Sequence, residues 1–410
     1  MAKTMHIVML GDYPSDPGKV SGGVEAVVLY LLQGLQRFPD LQISVITLSA
    51  RGSQKRVAQH GRVTVHYLPR ATWPSRLSYL GNIRNLKEQI RSLKPDLVHA
   101  HIAGEYAEAA AESGIPWVLT LHGIRFLEAS LRPGLVNRYR EWFIKREEFH
   151  AVKRARYVIS ISPFIQSTFA GQLRGEIFNI ENPIDEAFFK VPQQEAEPGR
   201  ILFAGRLIGR KNVHVLLQAF AELQRRFPHA TLRLAGSGQH SRAYTEDYVQ
   251  SLKDFVTKAG LEQAVTFLGE IDEQRILEEY RKCCMLVLPS ILETAPMVVL
   301  QAMAAGKPVV SSDAGGSRFL VEHGRTGFIV PIGSVDALAQ AMDRLLSDDS
   351  LALEMGQLAL QIARARFHVD VVAAQTKQVY HCVLGTSDVE DGLFNVSNST
   401  SPLQAKLRSS

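Results

Sequence analysis

The chain of 410 residues has only three cysteines, Cys283, Cys284 and Cys382. Two adjacent thiols and one distant one make neither a disulfide framework nor a zinc site, and a reducing compartment is the simple reading. No apolar run approaches the roughly 18 residues of a membrane span. The opening MAKTMHIVMLGDYPSD has neither a long apolar core nor a small-residue cleavage pattern, so no signal peptide is read there. A cytoplasmic protein is expected. Pro and Gly, at 18 and 30, are not in excess, which excludes a collagen-like or largely disordered chain. No G-x-G-x-x-G follows the first apolar run, which counts against a nicotinamide-dinucleotide enzyme. No Asp-x-Asp pair is present to hold magnesium against a diphosphate.

What is present is ordinary for a soluble globular protein: 46% hydrophobic and 21% charged residues. The length favours two domains, or at most three. The charge is unevenly placed, with a net of +7 in residues 1–190 and −2 in residues 191–410. Much of the basic surplus lies in RFLEASLRPGLVNRYREWFIKREEFHAVKRAR, Arg125 to Arg156, where Leu135, Tyr139, Trp142, Phe143 and Phe149 interleave with the charges. One reading is a solvated helix with internal ion pairs such as Glu141 with Lys145. The other is a peripheral contact with an anionic membrane, at the inner face, or with an acidic acceptor. No nucleic-acid partner is expected.

Apolar runs and helical periods alternate along the chain. MHIVMLG, ISVITL, VTVHYL, DLVHAH, WVLTLH and YVISIS read as strands, most of them joined by helical segments. After a polar stretch near Phe189 to Gly199 a second alternation begins, with strands at RILFAG, ATLRLAG, AVTFLG, MLVLP and PVVSS. Such alternation predicts doubly wound parallel sheets with ligands at the carboxyl ends of strands. Three further helical stretches end near Gly385, and residues 386–410 read as a disordered polar tail.

Several residues at strand ends carry candidate chemistry. Arg206 and Lys211 follow RILFAG and precede a helix, a plausible diphosphate clamp. Gly236 and Gly238 in LAGSGQ allow either close approach of a ligand or an ordinary turn. The SGG at Ser21, Gly22 and Gly23 precedes a helix whose free N–H groups suit an anion. His99 and His101 end one strand and read as hydrogen-bonded structural residues. His122, followed by Gly123, reads as functional. His-x-His is not a zinc site without a third ligand, and no metal is expected. In LETAPMVVLQAMAAGKPVV, Glu293 sits in a strand-to-helix loop, with Pro296 in the first helical turn.

Taken in order, RILFAGRLIGRKNVHVLLQAF, LAGSGQ, VTFLGEI, LPSILETAPMVVLQAMAAGKPVVSSDAGG and HGRTGFIVP, with SGGVEAVV and TLHG, resemble the retaining glycosyltransferases of glycosyltransferase family 4. The resemblance runs from about residue 5 to 385 and implies a GT-B fold, two Rossmann-like domains facing across a cleft. It implies an acceptor-side domain of residues 1–190 plus 366–385, with the last helix crossing back to it, and a nucleotide-sugar-binding domain of residues 191–365. It also implies a nucleotide-sugar donor, a UDP-sugar before a GDP-sugar, and no metal. The acceptor read from the basic stretch is a lipid-linked glycan of surface polysaccharide synthesis.

By position, Arg206 and Lys211 match the family's diphosphate pair, Glu293 the first acid of its E-x7-E motif, and His122 a histidine beside the donor sugar. Gly22 and Gly23 match the glycine loop near the distal phosphate. Glu270 and Ile271 match the wall at the base, and Gly236 is a further donor-binding position. Ala295, Pro296, Met297 and Val298 form the helix start on the donor.

Two positions depart from the pattern. Gln301 stands where the second acid would hold the ribose, and an amide there retains hydrogen bonding but loses charge. Arg318 and Phe319 stand where the family commonly has Pro-Glu. A nucleotide-sugar epimerase of the same fold and an inactive partner subunit are the rival readings.

Overall fold

The computed structural model describes residues 4–16, 20, 22–50, 52–72, 75–131, 134–192, 196–238 and 245–386. The tail expected over residues 386–410 lies outside them except for Thr386.

The first half supplies β1 (Met5–Leu10), β2 (Leu41–Ser49), β3 (Arg56–His60), β4 (Val63–Pro69), β5 (Leu97–Ala100), β6 (Trp117–Leu121), β7 (Tyr157–Ser160) and β8 (Glu176–Asn179). They form one sheet in the order β3-β4-β2-β1-β5-β6-β7-β8. Every pairing is parallel except that of β3 with β4. Strands buried on both faces explain the continuous apolar runs. In β1, Val8 and Leu10 enter one core and Ile7 and Met9 the other. The first core is closed by α2 (Ser75–Leu93), α3 (Glu105–Ala111), α4 (Arg125–Ser130), α5 (Leu135–Arg154) and α6 (Pro163–Thr168). The second is closed by α1 (Gly23–Leu35) and, from the far end of the chain, α13 (Val369–Leu384).

The second sheet contains β9 (Arg200–Ala204), β10 (Thr231–Ala235), β11 (Val265–Gly269), β12 (Met285–Leu288), β13 (Val309–Ser312) and β14 (Gly327–Val330). Its order is β11-β10-β9-β12-β13-β14, all parallel. Six helices wrap it: α7 (Val213–Gln224), α8 (Thr245–Lys258), α9 (Glu273–Lys282), α10 (Met297–Ala304), α11 (Val335–Ser347) and α12 (Asp349–Arg366). Three strands escaped the sequence reading. β3 and β8 are edge strands with mostly exposed, polar residues, and β14 is a four-residue run behind a turn.

α13 returns to the first sheet because α1 carries a glycine at the crossing. A Cβ on Gly34 would fall 2.6 Å from Ala373 Cβ and 2.8 Å from the Val369 carbonyl. Tyr380 on α13 reaches His99 Nδ1 at 2.8 Å, and Lys377 pairs with Asp40 at 2.7 Å.

Candidate active site at the carboxyl ends of both sheets

The site is centred on a buried ion pair. After β9 the chain makes one 3-10 turn, Gly209–Lys211. Asn212 then adopts a left-handed φ of 56°, which asparagine tolerates, and α7 begins. Lys211 Nζ donates to Glu293 Oε1 at 2.6 Å, with both residues buried. Arg210 flanks them. Its Nη1 donates to the Leu292 carbonyl at 2.6 Å and lies 3.6 Å from Glu293 Oε2. Its Nη2 stands 3.4 Å from Glu128 on α4, so this side chain spans the two halves. Burial alone would raise the Glu293 carboxyl, but Lys211 and Arg210 outweigh it and hold it below the ordinary carboxylate value. Arg206 is exposed and makes no ion pair among the described residues.

Two helix N-termini converge beside this pair. α10 starts behind Pro296, three residues after Glu293, and α1 starts behind Gly22. Neither start carries a side-chain cap. Met297 Cγ lies 3.7 Å from where a Cβ would stand on Gly23, so the two starts face one another. N–H groups at helix starts suit an anion, and Arg206 and Lys211 are the cations near them in sequence and fold. Ala295 packs against the core of the first half, while Val298 stays with the second. Gly316 is required here, since a Cβ would fall 1.6 Å from the Thr294 carbonyl oxygen.

Glu270 and Ile271 follow β11, the first exposed and the second half-buried. Gly236 lies beside them, donating to the Gly269 carbonyl at 2.8 Å. Its lack of a side chain has a packing cause, because a Cβ would stand 1.9 Å from the Gly205 carbonyl oxygen. Arg318 forms an ion pair with Asp313, closing the 3-10 turn Gly316–Phe319 that replaces a Pro-Glu helix start.

His122 is not an isolated functional residue. Its Nε2 meets His101 Nδ1 at 2.9 Å, and its Nδ1 is buried toward Asn182. The His122 residue as a whole is half-buried. His101 stacks on His99 at 3.9 Å, and His99 is held by Thr120 at 2.7 Å as well as by Tyr380. Burial lowers all three imidazoles, His122 to about 4 and His99 to about 3.

Gln301 is buried on α10, with Oε1 3.4 Å from the Tyr280 hydroxyl. The Tyr30 hydroxyl of α1 lies within its reach and donates to Glu273 Oε2 at 2.6 Å. Arg210, Tyr30, Glu273, Glu128 and Asn182 were missed by the sequence reading. Arg210 was visible beside Lys211. The others have no local signal, because they meet only when distant segments fold together. Among the described residues no three His, Cys, Asp or Glu side chains group as a metal site, and no helix is long and apolar enough to cross a membrane.

The sequence patterns of two families match in tandem: "Glycosyltransferase Family 4" over residues 21–188 and "Glycosyl transferases group 1" over residues 184–361. A glycogen synthase of Mycobacterium tuberculosis is 31% identical over 298 residues, 71% of this chain and 69% of that protein. Among solved structures, sucrose-phosphate synthase from Thermosynechococcus elongatus superposes with a TM-score of 0.79 at 22% identity, covering 93% of this chain and 100% of that one. Anabaena HepE in complex with UDP-glucose gives 0.72 at 24% identity over 92% of this chain and 100% of that one. The chain belongs to the glycosyltransferases, with the GT-B fold of two Rossmann-like α/β domains facing across a cleft.

Proposed function

We propose that the protein is a retaining, metal-independent hexosyltransferase that moves a sugar from a UDP-sugar to a glycan or lipid-linked acceptor. The observation that carries this reading is the meeting of the Lys211–Glu293 pair with two uncapped helix starts. A departing nucleoside diphosphate gains negative charge in the transition state. Lys211, Arg206 and the N–H groups at Gly23 and Met297 are placed to stabilise it without reorganising. Glu293, fixed by Lys211 and Arg210, is suited to hold sugar hydroxyls rather than to attack carbon. A donor phosphate oxygen then takes the acceptor's proton as the new bond forms on the departing face. The UDP-glucose bound by Anabaena HepE supports a uridine donor.

In this reading residues 1–190 with 366–385 face the acceptor and residues 191–365 hold the donor. The acceptor is membrane-borne, as α5 suggests. Leu135, Val136, Tyr139, Trp142 and Phe143 are exposed there at helical spacing, between the exposed cations Arg138, Arg140, Lys145 and Arg146.

The test is turnover of UDP-sugars with a chelator present, followed by the anomeric configuration of the product. Lys211→Ala is expected to lower kcat by about a hundred-fold or more, the scale for one lost transition-state contact. An unchanged rate in that variant, an inverted product, or conversion of the donor without an acceptor would overturn the reading.

A further inference from the structure

Gln301 removes a carboxylate from the position expected to hold the ribose, and the surrounding side chains show where that charge has gone. Four polar groups from three segments meet there. Tyr30 comes from α1 of the first domain, and Glu273 and Tyr280 from α9 and Gln301 from α10 of the second. The Tyr30 ring packs on Phe188 at 6.4 Å, and Phe188 on Tyr280 at 5.7 Å, which fixes both hydroxyls.

Donors and acceptors can be assigned around the ring. The Tyr30 hydroxyl spends its proton on Glu273 Oε2. Tyr280 spends its proton on the Val298 carbonyl at 2.9 Å. Gln301 lies within reach of the Tyr30 oxygen, and with the Tyr30 proton spent only its amide nitrogen has a hydrogen to offer there. A carboxylate at position 301 has no proton to give. It would leave Tyr30 with two acceptors for one proton, and it would set a second negative charge beside Glu273, with Asp185 also acting on the same phenol. Glu273 Oε1 makes no hydrogen bond among the described residues. It lies two residues beyond Ile271, at the wall that the family resemblance gives to the base.

We infer that Glu273, held by Tyr30 from the opposite domain, supplies the carboxylate that grips the donor ribose, and that Gln301 is an amide because it must donate to Tyr30. The inference rests on the proposed function in taking the ligand to be a nucleoside diphosphate. It makes Glu273 and Tyr30 the specificity-determining pair of the nucleotide subsite. On this inference an acid restored at position 301 weakens nucleotide binding.

The test is calorimetric titration of the full chain with UDP and with 2′-deoxy- and 3′-deoxy-UDP. The proteins are the wild type, Glu273→Gln, Gln301→Glu, the double variant and Tyr30→Phe, with a thermal melt of each to verify folding. Glu273→Gln is expected to weaken UDP by about ten-fold and to stop distinguishing the deoxy forms, as loss of a charge-assisted hydrogen bond requires. Gln301→Glu alone is expected to weaken UDP. The double variant, which moves the charge rather than adding one, is expected to bind more tightly than either single variant. Tyr30→Phe, which keeps the ring, is expected to fall between wild type and Glu273→Gln. Tighter binding by Gln301→Glu, or intact discrimination of the deoxy forms by Glu273→Gln, overturns the inference while wild-type binding still upholds the proposed function. Failure of the wild type to bind UDP, GDP or ADP overturns both.

Discussion

His122, His101 and His99 form a line of imidazoles that ends at Tyr380 of α13, and their burial ties stability to pH. All three are lowered from the ordinary value of 6.5. In the unfolded chain they bind protons below about pH 6.5, whereas in the fold His122 resists down to about 4 and His99 to about 3. The stabilisation is therefore complete above 6.5 and is lost as pH falls, by about 1.4 kcal/mol per pH unit for each histidine. The melting temperature should drop steadily from pH 7 to pH 5. His99→Gln, which keeps hydrogen-bonding capacity without a titrating ring, should show a shallower drop. Parallel curves for the two proteins would refute this account. At this scale the sequence was readable wherever a residue's neighbours are local. Lys211 and Glu293 were both marked as site residues, yet their pairing across 82 positions was not visible. Gln301 stood out as an anomaly, but its explanation lies with Tyr30, 271 positions earlier in the chain.

Among the elements, α5 carries two readings, a solvated helix with internal ion pairs and a peripheral membrane contact. The Glu141–Lys145 pair does not form among the described residues. Lys145 instead stands 5.3 Å over the Phe126 ring and 5.4 Å over that of Phe149. Ile144, Glu148, Ala151 and Val152 bury one face, and Glu148 accepts from the backbone N–H groups of Arg125 and Phe126 at the start of α4. The opposite face carries Leu135 and Val136, each 82% exposed, with Tyr139 and Trp142 stacked at 6.1 Å. A stripe at positions i, i+1, i+4, i+7 and i+8 is costly to leave in water and natural to lay on a bilayer. The protein should sediment with vesicles containing phosphatidylglycerol and not with pure phosphatidylcholine, and Tyr139→Ser with Trp142→Ser should release it. Equal binding to both lipids, or a concentration-dependent dimer that hides the stripe, would refute a membrane role. The element types were largely legible because buried parallel strands and amphipathic helices have opposite periods. The edge strands β3 and β8 were not, since mostly exposed strands show neither a continuous apolar run nor a strict alternation.

The two domains touch at several points besides the covalent crossings. Arg210 meets Glu128, Tyr30 meets Glu273, and Phe164 of α6 packs where Gly315 leaves room. Arg210 makes the most contacts and should matter more than its exposed partner. Arg210→Ala is expected to lower kcat/KM by roughly ten-fold, the value of one buried charged hydrogen bond. Glu128→Ala should cost only about two-fold, as a partly exposed pair does. Equal losses in the two variants would show that the cross-domain contact, not the Leu292 and Glu293 side, sets Arg210's role. α13 has a consequence on another axis, that of synthesis. The second domain is built from contiguous chain, whereas the first keeps the α1 face of its core open until residues 369–384 arrive. The half translated first is thus the half completed last. On the ribosome the nucleotide-binding domain can close its core while its predecessor still exposes Leu31, Leu32 and Leu35. Chains stalled before residue 369 should therefore be the form that chaperones hold.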